Sequence, residues 1–242
     1  MHGGGMRSGR FFLGVFFFAF LATANAEGFA ECKTFFRDGA PPAHREMPTS
    51  RALCFSEFAV LHSGATKTPI YVAERLNGAR IRATQLRRTD RFFADARLPR
   101  AERSELDDYK GSSYDRGHMA PAADMTTPEG MAQSFSLANI VPQAPINNRK
   151  AWASIEKSTR QYAMRAAGDI FVISGVVYAG DPVLIGRGVR VPQYLYKLVH
   201  DPVAGKSWAH WIQNSDTASA GPPISYRELG ARIGMALMPG LE

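Results

Sequence analysis

The sequence has 242 residues, and 29 lysines and arginines against 22 aspartates and glutamates give it a net charge of +7. This length is sufficient for a compact domain with a substantial core. The basic charge favours a polyanionic partner such as nucleic acid, although anionic lipid or solubility alone would explain it as well. Only two cysteines occur, which argues against a metal site built from cysteine.

Residues 1–26 have the pattern of a secretory signal peptide. Two arginines precede an apolar run over 11–21, and Ala24-Asn25-Ala26 supplies a small-residue cleavage site. The run is too short to cross a bilayer, which needs about 20 residues, and no second candidate follows. We expect an exported protein, periplasmic or extracellular and without a membrane span, in which 27–242 form a single domain. Because the signal holds two arginines and no acidic residue, that domain has a net charge of +5.

The two cysteines, Cys32 and Cys54, both lie early in the domain. In the oxidising compartment that export implies, they are free to pair. The sequence therefore predicts a Cys32–Cys54 disulfide, and the alternative is two buried free thiols.

The first half of the domain shows one pair of strands and a long irregular region. Residues 33–50 predict a surface arm with little structure of its own. The segments 55–62 and 70–75 are rich in β-branched and aromatic residues and are separated by a turn at 63–66, which predicts an antiparallel pair. Residues 77–108 are charged, rich in arginine and without a regular apolar period, so they predict a loop.

The second half predicts further strands and helices around one sheet. Residues 149–167 carry apolar residues at the period of an amphipathic helix, and 169–178 form a nearly continuous apolar run typical of a buried central strand. The other predicted elements are a short helix at 128–136, strands at 193–200 and 207–213, and a last helix from the cap Ser225 to 239–240. The pattern predicts an α+β fold, a mostly antiparallel central sheet flanked by helices.

A histidine close to two charged residues is the first candidate for chemistry. His118 follows Asp115, Arg116 and Gly117 on a segment that is predicted to be extended. A neutral imidazole accepts a proton at physiological pH, and phosphodiester cleavage needs a base, a cation and donors to the non-bridging oxygens. A histidine alone is a weak signal. Four others are better explained as surface or packed residues, namely His44, His62, His200 and His210.

A second group of polar residues lies on the predicted helix that follows. Asn148 stands at its N-terminal end, eight residues before Glu156, so that the two side chains point to nearly the same side. Glu156 and Arg160 are four residues apart and share a face. An N-capping asparagine with an ordinary Glu–Arg surface pair explains the same spacing.

These residue types also indicate which metal would bind. No cluster of cysteine and histidine has zinc-ligand spacing. An amide oxygen from Asn148, together with waters held by the carboxylate of Glu156, suits a hard hydrated ion. The prediction is a single hydrated Mg²⁺, with Mn²⁺ as a plausible substitute.

Three stretches of the sequence resemble the motifs of a known protein family. They are Tyr114-Asp115-Arg116-Gly117-His118-Met119-Ala120-Pro121, then Asn139-Ile140-Val141-Pro142-Gln143, then Asn148 with Trp152, Ile155 and Glu156. Together they resemble the DNA/RNA non-specific endonuclease family, whose active site is a ββα-metal finger. The similarity extends from about Cys54 to the closing helix and so covers most of the domain.

The resemblance implies a role for each polar residue of these motifs. His118 would be the general base, and Arg116 would bind and orient the phosphate. Asn148 would hold the metal directly, and Glu156 would hold it through water. Arg160 would contact the scissile phosphate.

Other assignments follow from the same resemblance. The family's spacing to the following Trp and Glu disfavours the adjacent Asn147 as the metal ligand. Asp115 and Asn139 are expected to be supporting residues. One further family arginine that binds substrate corresponds to either Arg88 or Arg91, and the sequence does not decide between them.

The activity that the resemblance implies is hydrolysis of phosphodiester bonds in DNA and RNA, leaving 5′-phosphate ends. Two other functions stay open. A nucleic-acid-binding envelope protein without catalysis would need the basic surface and Arg116, but not His118, Asn148 and Glu156 together. A hydrolase for small phosphodiesters is the third hypothesis.

Overall fold

A computed structural model describes residues 1–2, 28–43 and 48–241 of the chain. Apart from its first two residues, the predicted signal peptide at 1–26 lies outside the described residues, as does His44. Within the described ranges, no helix is both long enough and apolar enough to span a membrane.

The described residues form ten strands and five α-helices. The strands are β1 (Ser50–Cys54), β2 (Phe58–Ser63), β3 (Thr68–Leu76), β4 (Asp115–His118), β5 (Ile140–Gln143), β6 (Ile170–Val177), β7 (Leu184–Ile185), β8 (Val189–Arg190), β9 (Tyr194–Asp201) and β10 (Lys206–Gln213). The helices are α1 (Gly78–Ala83), α2 (Leu106–Tyr109), α3 (Pro128–Gln133), α4 (Ala153–Arg165) and α5 (Tyr226–Ile233). A π-helical turn, Asn147–Trp152, leads directly into α4.

Six strands form one antiparallel sheet in the order β1-β2-β3-β6-β9-β10. This confirms the predicted α+β class with a mostly antiparallel sheet. It also confirms the strands predicted at 70–75, 169–178, 193–200 and 207–213. Outside this sheet, β4 pairs with β5, and β7 with β8.

The start of the sheet differs from the prediction. The strand predicted at 55–62 begins only at Phe58, and β1 precedes it as an edge strand. The backbone nitrogen of Phe55 donates to the Phe58 carbonyl at 2.9 Å, and the two rings stack with their centroids 4.4 Å apart. The chain therefore reverses within four residues and brings Cys54 opposite Ala59. Aromatic residues at this turn made it indistinguishable from a strand in the sequence.

The region 77–108, predicted as loop, contains two short helices. The side chain of Asn77 accepts a hydrogen bond from Arg80 N at 2.9 Å and caps α1. Glu105 and Asp108 form a capping box around α2. Helices this short bury only one or two side chains each, so they leave no detectable period in the sequence.

The predicted helices are present with shifted bounds. The helix predicted at 149–167 is α4 with the preceding π-helical turn, and that at 128–136 is α3. Ser225 caps α5 as predicted, since its hydroxyl accepts from Glu228 N at 3.1 Å. The helix ends earlier than expected, at Gly234 with φ of 66°, because a left-handed residue stops a helix.

The sheet buries both of its faces. Val60 of β2 packs on one face with Trp152 and other residues of the β4–β5 and α4 layer. Leu61, its neighbour, packs on the opposite face with Phe29 and Leu229. Successive residues of a strand point to opposite faces, so one strand serves two cores.

The predicted Cys32–Cys54 disulfide is present. It ties the segment after residue 28 to the edge strand β1. Cys32 belongs to the core on the α5 side of the sheet, so the bond lies away from the layer that carries the catalytic candidates.

Candidate active site

Two strands and a helix position the candidate residues. In the β4–β5 pair, Gly117 lies opposite Val141 and His118 opposite Ile140, and α4 follows after the π-helical turn. A Cβ atom at Gly117 would lie 2.7 Å from Gln143 Cβ, too close for any larger residue. The glycine therefore allows the two strands to approach, and the arrangement has the order of a ββα finger.

His118 lies at the end of β4, enclosed by aromatic rings. Its ring centroid is 5.4 Å from that of Phe92 and 5.1 Å from that of Phe135. Burial, with the nearby charges of Arg88 and Arg116, lowers the pKa of His118 to about 3. The imidazole is therefore neutral at physiological pH, and its Nε2 has no hydrogen-bond partner among the described residues.

The backbone around His118 is held from two sides. Asn139, fully buried, donates to the carbonyls of Ala120 and Ser134 and accepts from Ala120 N, at 2.8, 2.9 and 2.9 Å. Trp152 Nε1 donates to the His118 carbonyl at 3.2 Å. Asn139 and Trp152 therefore hold the backbone at His118 and the residues that follow it.

The two neighbouring asparagines differ in what their side chains do. Asn147 is buried, accepts from Gln143 Nε2 at 2.8 Å and donates to the Gln213 carbonyl at 2.6 Å. Asn148 donates its side-chain nitrogen to Asp115 Oδ2 at 2.9 Å, and no described residue donates to its Oδ1. Of the two asparagines, only Asn148 therefore keeps a side-chain oxygen available to a ligand.

Glu156 and Arg160 lie on α4 within a group of buried charges. Burial raises the pKa of Glu156 to about 7, with Lys197 acting in the opposite direction. Glu156 Oε1 is buried and has no hydrogen-bond partner among the described residues. Arg160 is 18% exposed and pairs through Nε with the buried Asp124, so the simple surface Glu–Arg pair considered from spacing is not what forms.

The arginines near His118 are placed differently from one another. Arg116 is exposed and lies over the Phe92 ring, 4.2 Å from its centroid. Arg88 lies over the Phe135 ring at 4.9 Å and pairs with Asp90 at 2.6 Å. Since Phe92 and Phe135 both contact His118, these two arginines flank the imidazole. Arg91 makes no comparable contact within the described residues.

The oxygen donors of this region fit the metal that the family implies. Asn148 Oδ1 and Glu156 Oε1 are both without a hydrogen-bond partner in the described part of the chain, and amide and carboxylate oxygens are the donors that Mg²⁺ prefers. The described ranges hold no group of three or more His, Cys, Asp or Glu side chains placed to bind a metal. A metal ion bound here would therefore keep water as most of its ligands.

Four residues of the site were not found from the sequence: Phe92, Phe135, Asp124 and Lys197. The two phenylalanines and Asp124 follow no motif and meet the site only in space. Lys197 could have been identified from the sequence, because it lies in an apolar strand with a leucine two positions before it and a valine two positions after it. A lysine on the core-facing side of a strand is rarely tolerated without a role.

The sequence matches a known protein family. Residues 42–237 match the family model described as DNA/RNA non-specific endonuclease. The match covers most of the chain, so the protein belongs to that family.

Individual relatives are nucleases. The chain is 32% identical over 162 residues to the mitochondrial nuclease EXOG of Homo sapiens, covering 62% of this chain and 44% of that protein. It is 32% identical over 163 residues to a nuclease of Nostoc sp., covering 66% and 58%. The chain thus spans about half the length of these relatives.

A solved structure shows the same fold. The crystal structure of the EndoG/EndoGI complex matches with a TM-score of 0.71 at 21% identity, over 88% of this chain and 91% of that chain. The fold is therefore EndoG-like.

Proposed function

We propose that the protein is an exported, metal-dependent endonuclease that hydrolyses phosphodiester bonds in DNA and RNA and leaves 5′-phosphate ends. One observation carries the proposal. A neutral, buried His118 lies between Arg88 and Arg116, in the same finger as Asn148, which keeps an oxygen free. A base, phosphate-binding cations and a metal ligand are the three requirements of this reaction.

His118 would take a proton from the attacking water. Its lowered pKa keeps the imidazole unprotonated before substrate binds, and Nδ1 is the ring nitrogen left for water because Nε2 is buried. A phosphate bound beside Arg88 and Arg116 would offset their positive charge, so the imidazole would gain proton affinity during the step that needs it.

The arginines would hold the phosphate. Arg116 is exposed and without an acidic partner among the described residues, and its guanidinium can donate two hydrogen bonds to a phosphate. Arg160 would contact the scissile phosphate from α4, where Asp124 fixes its orientation. Arg88 fits the remaining family arginine better than Arg91, because it lies next to the ring that contacts His118.

Asn148 would hold Mg²⁺ directly, and Glu156 would hold it through water, with Mn²⁺ as a plausible substitute. The bound ion would supply positive charge to the transition state and to the leaving 3′ oxygen. Asp115 would orient Asn148 through the hydrogen bond from its amide nitrogen.

Substrate breadth follows from what these residues can contact. Arginines and a metal ion recognise phosphate rather than base edges, so they carry little sequence information. We therefore infer that DNA and RNA, single- or double-stranded, are all substrates. The paired cysteines support export, since disulfides persist in oxidising compartments.

Cleavage of plasmid DNA and of RNA by the purified 27–242 protein tests the proposal, with Mg²⁺, Mn²⁺, Ca²⁺ or EDTA in parallel. We expect cleavage that EDTA abolishes, 5′-phosphate ends, and a loss of about 100-fold or more in His118→Ala. Circular dichroism shows whether that variant is folded. Retention of DNA in a gel without cleavage would support the binding protein instead, and competition by a small chromogenic diester would support the small-substrate hydrolase.

A further inference from the structure

A buried lysine lies behind the candidate site. Lys197 of β9 is 1% exposed. Its ammonium donates to Ser174 Oγ at 2.6 Å and to the Met119 carbonyl at 3.3 Å. It also lies 5.4 Å from the centre of the Trp152 ring. Lys197 therefore contacts both the strand that ends in His118 and the turn that leads into α4.

The neighbours of Lys197 on the same face of β9 are apolar. Leu195 and Val199, on the same face of β9, are fully buried apolar residues. A buried ammonium is unfavourable unless opposite charges compensate for it, and an apolar residue of similar volume is often as stable or more so. The position of Lys197 therefore requires an explanation beyond packing.

Carboxylates surround this lysine. Glu74 of β3 is completely buried, with Oε2 4.0 Å from Lys197 Nζ, and neither of its oxygens has a hydrogen-bond partner among the described residues. Lys197 also acts electrostatically on Glu156 and Asp124, where its charge opposes the rise in pKa that burial causes. Burial raises the pKa of Glu74, and the charge of Lys197 opposes that rise. Of the three carboxylates, Glu74 lies nearest to the lysine, and Glu156 is the one that belongs to the candidate site.

Trp152 links Lys197 to the two candidate residues His118 and Glu156. Its indole nitrogen donates to the carbonyl of His118, and Lys197 holds the carbonyl of the next residue, Met119. Trp152 also precedes Glu156 by four residues, one helical turn. A displacement of Lys197 would be transmitted to the base and to the residue proposed to hold the metal's water.

We propose that Lys197 is a positioning residue. It fixes the backbone directly after β4 against the turn before α4, and it places a buried positive charge near Glu156 and Glu74. Lys197 does not touch substrate because it is buried. The inference rests on the proposed nuclease function.

The test compares Lys197→Met with the double variant Glu74→Gln/Lys197→Met. The single variant leaves Glu74 buried beside an apolar side chain, whereas the double variant removes both ionisable groups and should be about as stable as wild type. For a positioning residue we expect both variants to lose about 10- to 100-fold in kcat, with KM for DNA within about 3-fold of wild type. The matched control is Lys206→Met, at an exposed lysine on the neighbouring strand β10, which should leave both constants unchanged.

A second measurement, by NMR, does not require catalytic activity. The NMR signals of the His118 ring should shift in the stably folded double variant and not in the Lys206→Met control. A double variant with wild-type kcat would overturn the inference while leaving the nuclease function intact. Failure of both Lys197 variants to fold would also overturn it, since the lysine would then serve the fold. An inactive wild-type protein would instead refute the proposed function.

Discussion

Asn148 and Asp115 are joined by a 2.9 Å hydrogen bond in which the amide nitrogen of Asn148 is the donor. Because the nitrogen faces Asp115, Oδ1 is the atom left for a ligand. Arg149 donates to both oxygens of the same carboxylate, at 2.8 and 2.6 Å. The orientation of Asn148 thus depends on Asp115, a residue of β4.

Asp115→Ala should weaken metal binding. Without its acceptor the Asn148 amide is free to rotate, so we expect the Mg²⁺ concentration for half-maximal cleavage to rise by about 10-fold or more. Titration of plasmid cleavage with Mg²⁺ measures this, and Mn²⁺ binding by electron paramagnetic resonance checks it independently. Lys150→Gln is the control, because this exposed lysine lies in the same turn and its side chain makes no hydrogen bond to Asp115 or Asn148 among the described residues, and it should change the requirement by less than about 3-fold. An unchanged requirement in Asp115→Ala would contradict the role of this hydrogen bond.

Arg88 and Arg91 should differ in their contribution to cleavage. Arg88 lies over the ring that contacts His118, so Arg88→Gln should lose a hydrogen bond to a charged group and about 10-fold or more in kcat/KM. Arg91→Gln should lose only long-range attraction, and its defect should shrink as salt is added. Measurement of kcat/KM for DNA at low and high salt separates the two, and a larger, salt-independent defect in Arg91→Gln would reverse the assignment.

The lowered pKa of His118 predicts a pH dependence of stability. In the folded protein this pKa is about 3, whereas it is about 6.5 in an unfolded chain. Below pH 6.5 the unfolded state therefore binds a proton that the folded state does not, and stability falls as the pH falls toward 3. Between pH 7.5 and 5 the loss assigned to His118 is about 2 kcal/mol.

Urea unfolding of wild type and His118→Asn at pH 7.5 and 5, in EDTA, isolates this contribution. Wild type should lose about 2 kcal/mol more than the variant over this interval. Groups such as Glu156, whose raised pKa acts in the opposite sense, are present in both proteins and cancel in the difference. Equal losses in the two proteins would show that the folded His118 titrates normally.

Gly117→Ala should disturb the finger. The added Cβ would lie 2.7 Å from Gln143 Cβ, so β4 and β5 would have to separate, at a cost of about 1–3 kcal/mol in unfolding free energy and with a fall in kcat. Gly221→Ala is the control, because nothing lies within 4 Å of a Cβ there and it should be neutral or slightly stabilising. Urea unfolding and cleavage rates measure both, and a fully stable Gly117→Ala would contradict the close approach of the strands.

Several features followed from local sequence. The apolar run at 169–178 predicted the central strand β6, the period at 149–167 predicted α4, and Ser225 predicted the start of α5. Short-range spacing also placed Asn148 and Glu156 near one end of the same helix. These predictions succeeded because hydrophobic period and capping depend on residues that are close along the chain.

Other features required the tertiary structure. The turn at 55–58 contains aromatic residues that look like part of a strand, so β1 was hidden. The enclosure of His118 by Phe92 and Phe135 brings together residues that share no motif. The carboxylates around Lys197 come from β3, α4 and the segment before α3. The fold class and the kinds of polar group available could thus be predicted from local sequence. Which of these groups are buried, paired or free depends on tertiary contacts, because burial and distance set the charge and hydrogen bonding of each group.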